Sequence, residues 1–146
     1  MSATCEKFND IGILPVLPAA RTLIDAPRDA PRVLLLDQDG MAALALTVLL
    51  TPEARLSHVT TVDAARTKLR QGDFAAVIID PQHIEGSVSS LLDLLHATPL
   101  LVYSAQEPSW SEYADAFLPK PWTSPRKLWS SVAHALGMPS PIFVGV

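Results

Sequence analysis

The stretch Arg32-Val-Leu-Leu-Leu-Asp37-Gln38-Asp39-Gly40 decides how the chain is read. Val33 to Leu36 is an unbroken apolar run of strand length, and a strand apolar on both faces belongs in a parallel sheet covered by helices on either side. The run stops at the polar group Asp37-Gln38-Asp39. Met41 to Leu50 follows, rich in Ala and Leu and therefore helical. The ring of Pro52 disfavours helical geometry at Thr51 and ends that helix. Strand, acidic loop and helix make one βα unit.

Toward the C-terminus the alternation repeats. His58 to Val62 reads as a second strand, and Asp63 as the N-cap of a helix reaching Gln71, with Gly72 as its stop. Phe74 to Ile79 is a third buried strand ending in Asp80. Ser87 to Ala97, with Val88, Leu91, Leu92, Leu94 and Leu95, predicts a helix with a wide apolar face. Leu100 to Tyr103 is the fourth strand, ending in Ser104, and Glu107 to Ala114 has room for a short helix opened by Pro108. Ala116 to Leu118 is a short fifth strand before Pro119-Lys120-Pro121. Ser124 to Leu136 is a last helix, with Leu128, Val132 and Leu136 at spacing four and Gly137 as its stop. Five such units predict an α/β domain over residues 32–137 with a five-stranded parallel sheet and helices on both faces, followed by a tail over 138–146.

Toward the N-terminus, residues 1–31 carry four prolines (Pro15, Pro18, Pro27 and Pro31), and Asp25 to Pro31 reads as an extended linker. The preceding arm holds Ile11, Ile13, Leu14, Val16 and Leu17, apolar enough to dock on another surface.

At 146 residues, 49% hydrophobic and 18% charged, the composition is that of one packed domain and not of a disordered chain. A net charge of −4 argues against a surface built to neutralise phosphates, so direct binding of nucleic acid is not expected. The single cysteine, Cys5, has no partner for an internal disulfide, and a reducing cytoplasm is the simplest setting. No apolar run approaches the roughly 20 residues of a membrane span. The N-terminal segment lacks the basic start and unbroken apolar core of a secretion signal.

Ligands of open α/β sheets bind outside the carboxyl ends of the strands. Asp37, Asp80, Ser104 and Lys120 all fall there, each behind an apolar strand. Such a group suits phosphoryl transfer to a carboxylate, because an aspartate nucleophile needs the incoming charge neutralised by a cation, an ammonium and a hydroxyl donor. Taken one at a time these residues have plainer readings. Asp80 caps a strand end, Lys120 is an ordinary surface lysine, and His83 is a solvated loop histidine with no second ligand at metal spacing. Trp110, Trp122 and Trp129 read as core, and Trp110 and Trp122, in loop-like settings, read equally as a partner surface, where Trp is enriched.

Four segments, Val33-Leu-Leu-Leu-Asp37-Gln-Asp39, Val77-Ile-Ile-Asp80, Val102-Tyr-Ser104 and Phe117-Leu-Pro-Lys120-Pro121, occur in an order that resembles the receiver domains of bacterial response regulators. The resemblance covers about residues 32–137 and implies a CheY-like, flavodoxin-like sheet of strand order 2-1-3-4-5. It implies that Asp80 accepts phosphate from a phosphohistidine of a sensor histidine kinase or phosphotransfer protein. Asp37, Asp80 and the backbone carbonyl of Gln82 would hold Mg2+, Ser104 would hydrogen-bond the phosphoryl group, and Lys120 would pair with it. Ser104 and Phe117 would act as switch residues, Lys120-Pro121 would be a cis peptide, and output would pass by protein contact to a downstream target, as a monomer or a homodimer.

The sequence departs from that pattern in places. Receivers carry two adjacent acids after the first strand, whereas Gln38 follows Asp37 and offers an amide oxygen without charge, and hard cations are held chiefly by carboxylates. Asp39 stands one step further along the loop. Pro81 directly follows the acceptor position, and the stretch from Ser104 to Lys120 curtails the fourth helix. These departures leave two forms of an atypical receiver open: one phosphorylated on Asp80, or a degenerate one that works independently of phosphorylation. Leu34 to Gly40 also resembles the first motif of haloacid-dehalogenase-type phosphohydrolases, with Asp37 as nucleophile, Asp39 as acid/base, and Ser104 and Lys120 in later motifs. That family needs a further acidic pair, and no Asp or Glu follows Lys120.

Overall fold

The computed structural model describes residues 28–84, 86–95 and 97–138. The greater part of the proline-bearing arm, with Cys5, and most of the tail expected over 138–146 lie outside the described residues.

Strand β1 (Arg32–Leu36) is the axis of the molecule. It pairs in parallel with β2 (Arg55–Val59) on one side and β3 (Ala76–Ile79) on the other, and β4 (Leu100–Ser104) and β5 (Ala116–Pro119) extend the sheet beyond β3. The order is 2-1-3-4-5, as the sequence pattern implies. Side chains alternate across a strand, so β1 divides its apolar run between two cores. Val33 and Leu35 join Ile78, Leu101, Leu46 and Leu50 on one face, while Leu34 and Leu36 join Val77, Ile79, Leu91 and Leu100 on the other.

Helices α1 (Gly40–Leu50) and α3 (Pro125–Ala135) cover the first face, and α2 (Val62–Gln71) the second. Asp39 caps α1 by accepting the Met41 N–H at 2.9 Å, and Ser124 caps α3 by accepting from Lys127 at 3.1 Å. Both caps satisfy donors that a helix leaves unpaired. No helix among the described residues is long and apolar enough to cross a membrane.

Four expectations are corrected. The second strand lies at Arg55–Val59, not at His58–Val62, because Arg55 and Leu56 pair with Arg32 and Val33 while Thr60 and Thr61 leave the sheet. Thr61, not Asp63, is the N-cap of α2, accepting the Ala64 N–H at 3.0 Å; Asp63 sits in the first turn and pairs with Arg66 at 2.8 Å. The helix expected over Ser87–Ala97 is a 3-10 segment, Val88–Leu94. Its serines bond locally, Ser90 Oγ to the Ser87 carbonyl at 2.7 Å and Ser87 to Ser89 at 2.9 Å. Such bonds compete with α-helical pairing. The short helix expected over Glu107–Ala114 contracts to the 3-10 turn Ser111–Tyr113.

Gly72 does end α2, but with an extended backbone, φ −144°. A Cβ there would stand 2.5 Å from Arg32 Nη1, a contact that the flexible end of the arginine could relieve by moving aside. Ile78 is fully buried at the centre of the sheet. Ile78→Ala is expected to lower the unfolding free energy by about 2–5 kcal/mol and Ile78→Val by about 0.5–1.5 kcal/mol, read as shifts of the urea midpoint at constant slope.

Candidate functional site

Four polar residues are buried among those described, and Asp37, Asp80 and Ser104, at 2%, 7% and 0% exposure, are three of them. The sheet itself brings them together. The parallel ladder runs one residue past the strand ends: the Asp37 N–H donates to the Val59 carbonyl at 3.1 Å, Asp80 N–H to Leu36 at 2.9 Å, and Lys120 N–H to Ser104 at 2.9 Å. Asp37 therefore leaves β1 beside the point where Asp80 leaves β3. This is where the strand order reverses direction, the place at which open α/β sheets form their crevice.

Lys120 joins the two acids. Its Nζ donates to Asp37 Oδ2 at 2.6 Å and to Asp80 Oδ2 at 2.7 Å, across 83 and 40 residues of sequence. The other oxygens are engaged as well. Asp37 Oδ1 accepts the Asp39 N–H at 2.8 Å; Asp80 Oδ1 accepts Ser104 Oγ at 2.8 Å and the Gln82 N–H at 2.9 Å. Hydrogen bonds of this kind, with one or both partners charged and partly shielded from water, are the strong ones. Burial of Lys120 opposes its charge, yet the bonds and charges of Asp37 and Asp80 outweigh burial and raise its pKa above the ordinary 10.5. The Lys120-Pro121 peptide is cis, as the resemblance implies.

The remaining residues singled out from sequence have other engagements. Gln38 reaches away, its Nε2 donating to the Thr60 carbonyl at 3.0 Å. The Asp39 carboxylate caps α1. Gln82 approaches Asp80 through its backbone N–H. Phe117 is half-buried on β5, and His83 is exposed at φ 63°. Trp110 and Trp129 pack against the two cores, whereas Trp122 is exposed.

Two participants escape a reading of the sequence. Tyr103 places its ring 4.9 Å from Lys120 Nζ, a cation–π contact. His58 Nε2 lies 2.7 Å from the Asp37 carbonyl oxygen. An aromatic in a strand reads as core, and a histidine in a strand as surface, so only the placement of Lys120 and Asp37 beside them gives either a role.

Asp37 and Asp80 set two hard carboxylates side by side, and this donor chemistry fits a hard divalent cation. A third acid does not join them, since Gln38 and Asp39 are engaged elsewhere and no group of three or more His, Cys, Asp or Glu comes together among the described residues. The residues present thus fit Mg2+ in kind, with less negative charge than a set with a third acid would offer.

Removing the ammonium would leave two carboxylates facing each other in a mostly buried site. Lys120→Met is expected to cost about 2–4 kcal/mol, toward the lower end for breaking a buried pair because the lysine is partly exposed. Because the folded pKa lies above that of the unfolded chain, the lysine's stabilisation is complete below pH 10.5 and fades as pH rises through the folded value. Urea midpoints should fall on alkaline titration in the native chain and stay nearly flat in Lys120→Met.

No family model matches the chain, and no curated protein matches it by sequence. Solved structures do. A response regulator receiver protein from Burkholderia phymatum superposes with a TM-score of 0.65 at 21% identity, covering 77% of this chain and 99% of the other. A CheY-like receiver domain from Methanospirillum hungatei gives 0.64 at 18% identity, covering 75% and 95%. The receiver domain of a sensor histidine kinase from Pseudomonas aeruginosa, which has a magnesium ion coordinated in its active-site cleft, gives 0.61 at 14% identity, covering 74% and 98%. With its strand order and its acid, hydroxyl and lysine at the strand ends, the chain has the fold of a response regulator receiver domain.

Proposed function

We propose that this chain is a two-component receiver that works through protein contacts, with Asp80 at the phosphate-acceptor position and a pocket adapted to hold its conformation without phosphorylation. One observation carries this reading. The bare carboxylate of Asp80 already receives the Ser104 hydroxyl and the Lys120 ammonium, the groups a phosphoryl oxygen there would use. The residue that would bring a second acidic charge after β1 is Gln38, turned to Thr60.

A second reading keeps Asp80 as a working acceptor, favoured by the intact set of Asp37, Ser104 and Lys120. In it an Asp80 Oδ attacks the phosphorus of a phosphohistidine, the P–N bond breaks, and the electron pair stays with the imidazole. Ser104 and Lys120 then pass from the carboxylate to the new phosphoryl oxygens, which shifts the population of surface conformations that a partner reads. Magnesium, held by Asp37, Asp80 and the Gln82 carbonyl, would supply positive charge to the transferring group. The partners are a sensor histidine kinase or phosphotransfer protein and a downstream protein, in the cytoplasm. A haloacid-dehalogenase-type hydrolase is disfavoured because Asp39, its acid/base, is committed to capping α1.

The two readings separate on titration with Mg2+ and then Mg2+ plus beryllium fluoride, following tryptophan fluorescence and amide shifts around Asp80. The native chain is expected to give no saturable response at millimolar metal, and Gln38→Asp to acquire one. Saturable changes in the native chain that vanish in Asp80→Asn would overturn the phosphorylation-independent reading.

A further inference from the structure

Helix α1 has an unusual composition for a surface helix. Gly40 to Leu50 contains no charged residue, and its sole polar side chain, Thr47, donates back to the Ala43 carbonyl at 2.8 Å. Ala43, Leu46 and Leu50 face the core, yet Met41, Leu44 and Val48 stand 72%, 57% and 51% exposed on the opposite side. These three recur at helical spacing and form a continuous apolar stripe. Beside it runs a groove of about 590 Å³ between α1, Tyr103 and the start of α3, with Ala45, Leu49, Pro121 and Leu128 among its lining. Trp122, 82% exposed, follows Pro121 at the rim. A helix apolar all round normally has both sides covered, and contiguous apolar patches of this kind mark contact sites.

We propose that the segment Ile11–Ile24 of this same chain covers the outer face of α1 and the adjoining groove. Three observations select it. The first is position: the described chain starts at Arg28, and the Pro31 carbonyl accepts the Arg55 N–H at 2.8 Å, just after Ala54 bonds back to Leu50 at the end of α1. The described chain therefore enters the sheet beside the C-terminal end of the stripe. The second is reach. Eleven helical residues rise about 16 Å, and fourteen extended residues span up to about 45 Å, so the segment can run the length of α1.

The third is chemistry. Between Asp10 and Asp25 the only charged residue is Arg21, while Ile11, Ile13, Leu14, Val16, Leu17, Leu23 and Ile24 supply apolar surface. Two largely apolar surfaces on one chain, held together by a short tether, meet at high effective concentration. Pro15 and Pro18 favour an extended strap over a helix interior or a central strand.

The test uses the full chain in two sets of variants. Ile13→Ser with Leu14→Ser and Val16→Ser alters the segment; Leu44→Gln with Val48→Gln alters the helix with a good helix former. Each set is expected to lower Tm by about 5 °C or more, and the combination to lower it no further than the larger single effect, because both remove one shared contact. A spin label on Cys5, the chain's single cysteine, should broaden amides of α1 in preference to those of α2, independently of any variant. Additive losses, an unchanged Tm in either set, or broadening spread evenly over the surface would overturn the proposal. So would a concentration-dependent dimer abolished by Leu44→Gln with Val48→Gln, which would assign the face to a second copy.

Discussion

The structure depends on one ammonium group shared by two buried carboxylates. Asp37 and Asp80 are brought side by side by the register of β1 and β3, a register imposed by apolar side chains that have nowhere else to go. Two like charges so close would oppose the pairing that places them. Lys120 resolves the conflict by reaching in from the end of β5, bonding to both at 2.6 and 2.7 Å. The bridge links the end of β5 to β1 and β3, neither of which β5 pairs with, and it ties the loops after β1, β3 and β5 into one unit. Ser104 and the backbone donors of Asp39 and Gln82 complete the network.

That network also sets the chemistry open to the site. A carboxylate with an ammonium on one oxygen and a hydroxyl on the other is both a plausible nucleophile and a self-sufficient structural unit. Which role dominates turns on charge. One lysine opposes two acids, and the loop offers no further acid because Gln38 points to Thr60 and Asp39 caps α1. A cation entering the pocket competes with Lys120 for the same oxygens. Under the proposed reading the pocket favours the lysine-bridged state, and α1, which starts at the same loop, carries an exposed apolar outer face.

Much of the fold was legible in the residues. Val33–Leu36, Val77–Ile79 and Leu100–Val102 are apolar on both faces, which only a covered parallel sheet satisfies, and their ends mark the site. The strand Arg55–Val59 was harder to place because Arg, Ser and His interrupt it; its edge position relaxes the demand for apolar side chains. The segment Val88–Leu94 misled for the opposite reason: its leucines give a helical stripe, while serine side chains that bond their own backbone tighten it into 3-10 turns. In the site, Asp37, Asp80, Ser104 and Lys120 could be named from their positions at strand ends. The direction of Gln38, the capping role of Asp39 and the ring of Tyr103 beneath Lys120 depend on tertiary placement and carry no local signal.

The shared ammonium can be observed directly by following the side-chain nitrogen of Lys120 through an alkaline NMR titration while the amide spectrum stays folded. A midpoint above 10.5 that falls when Asp37 is replaced by Asn is the result required by a lysine bonded to both carboxylates. A midpoint at or below 10.5, unmoved by Asp37→Asn, would show that Lys120 does not bridge the acids and would contradict the account of both the site and its bias.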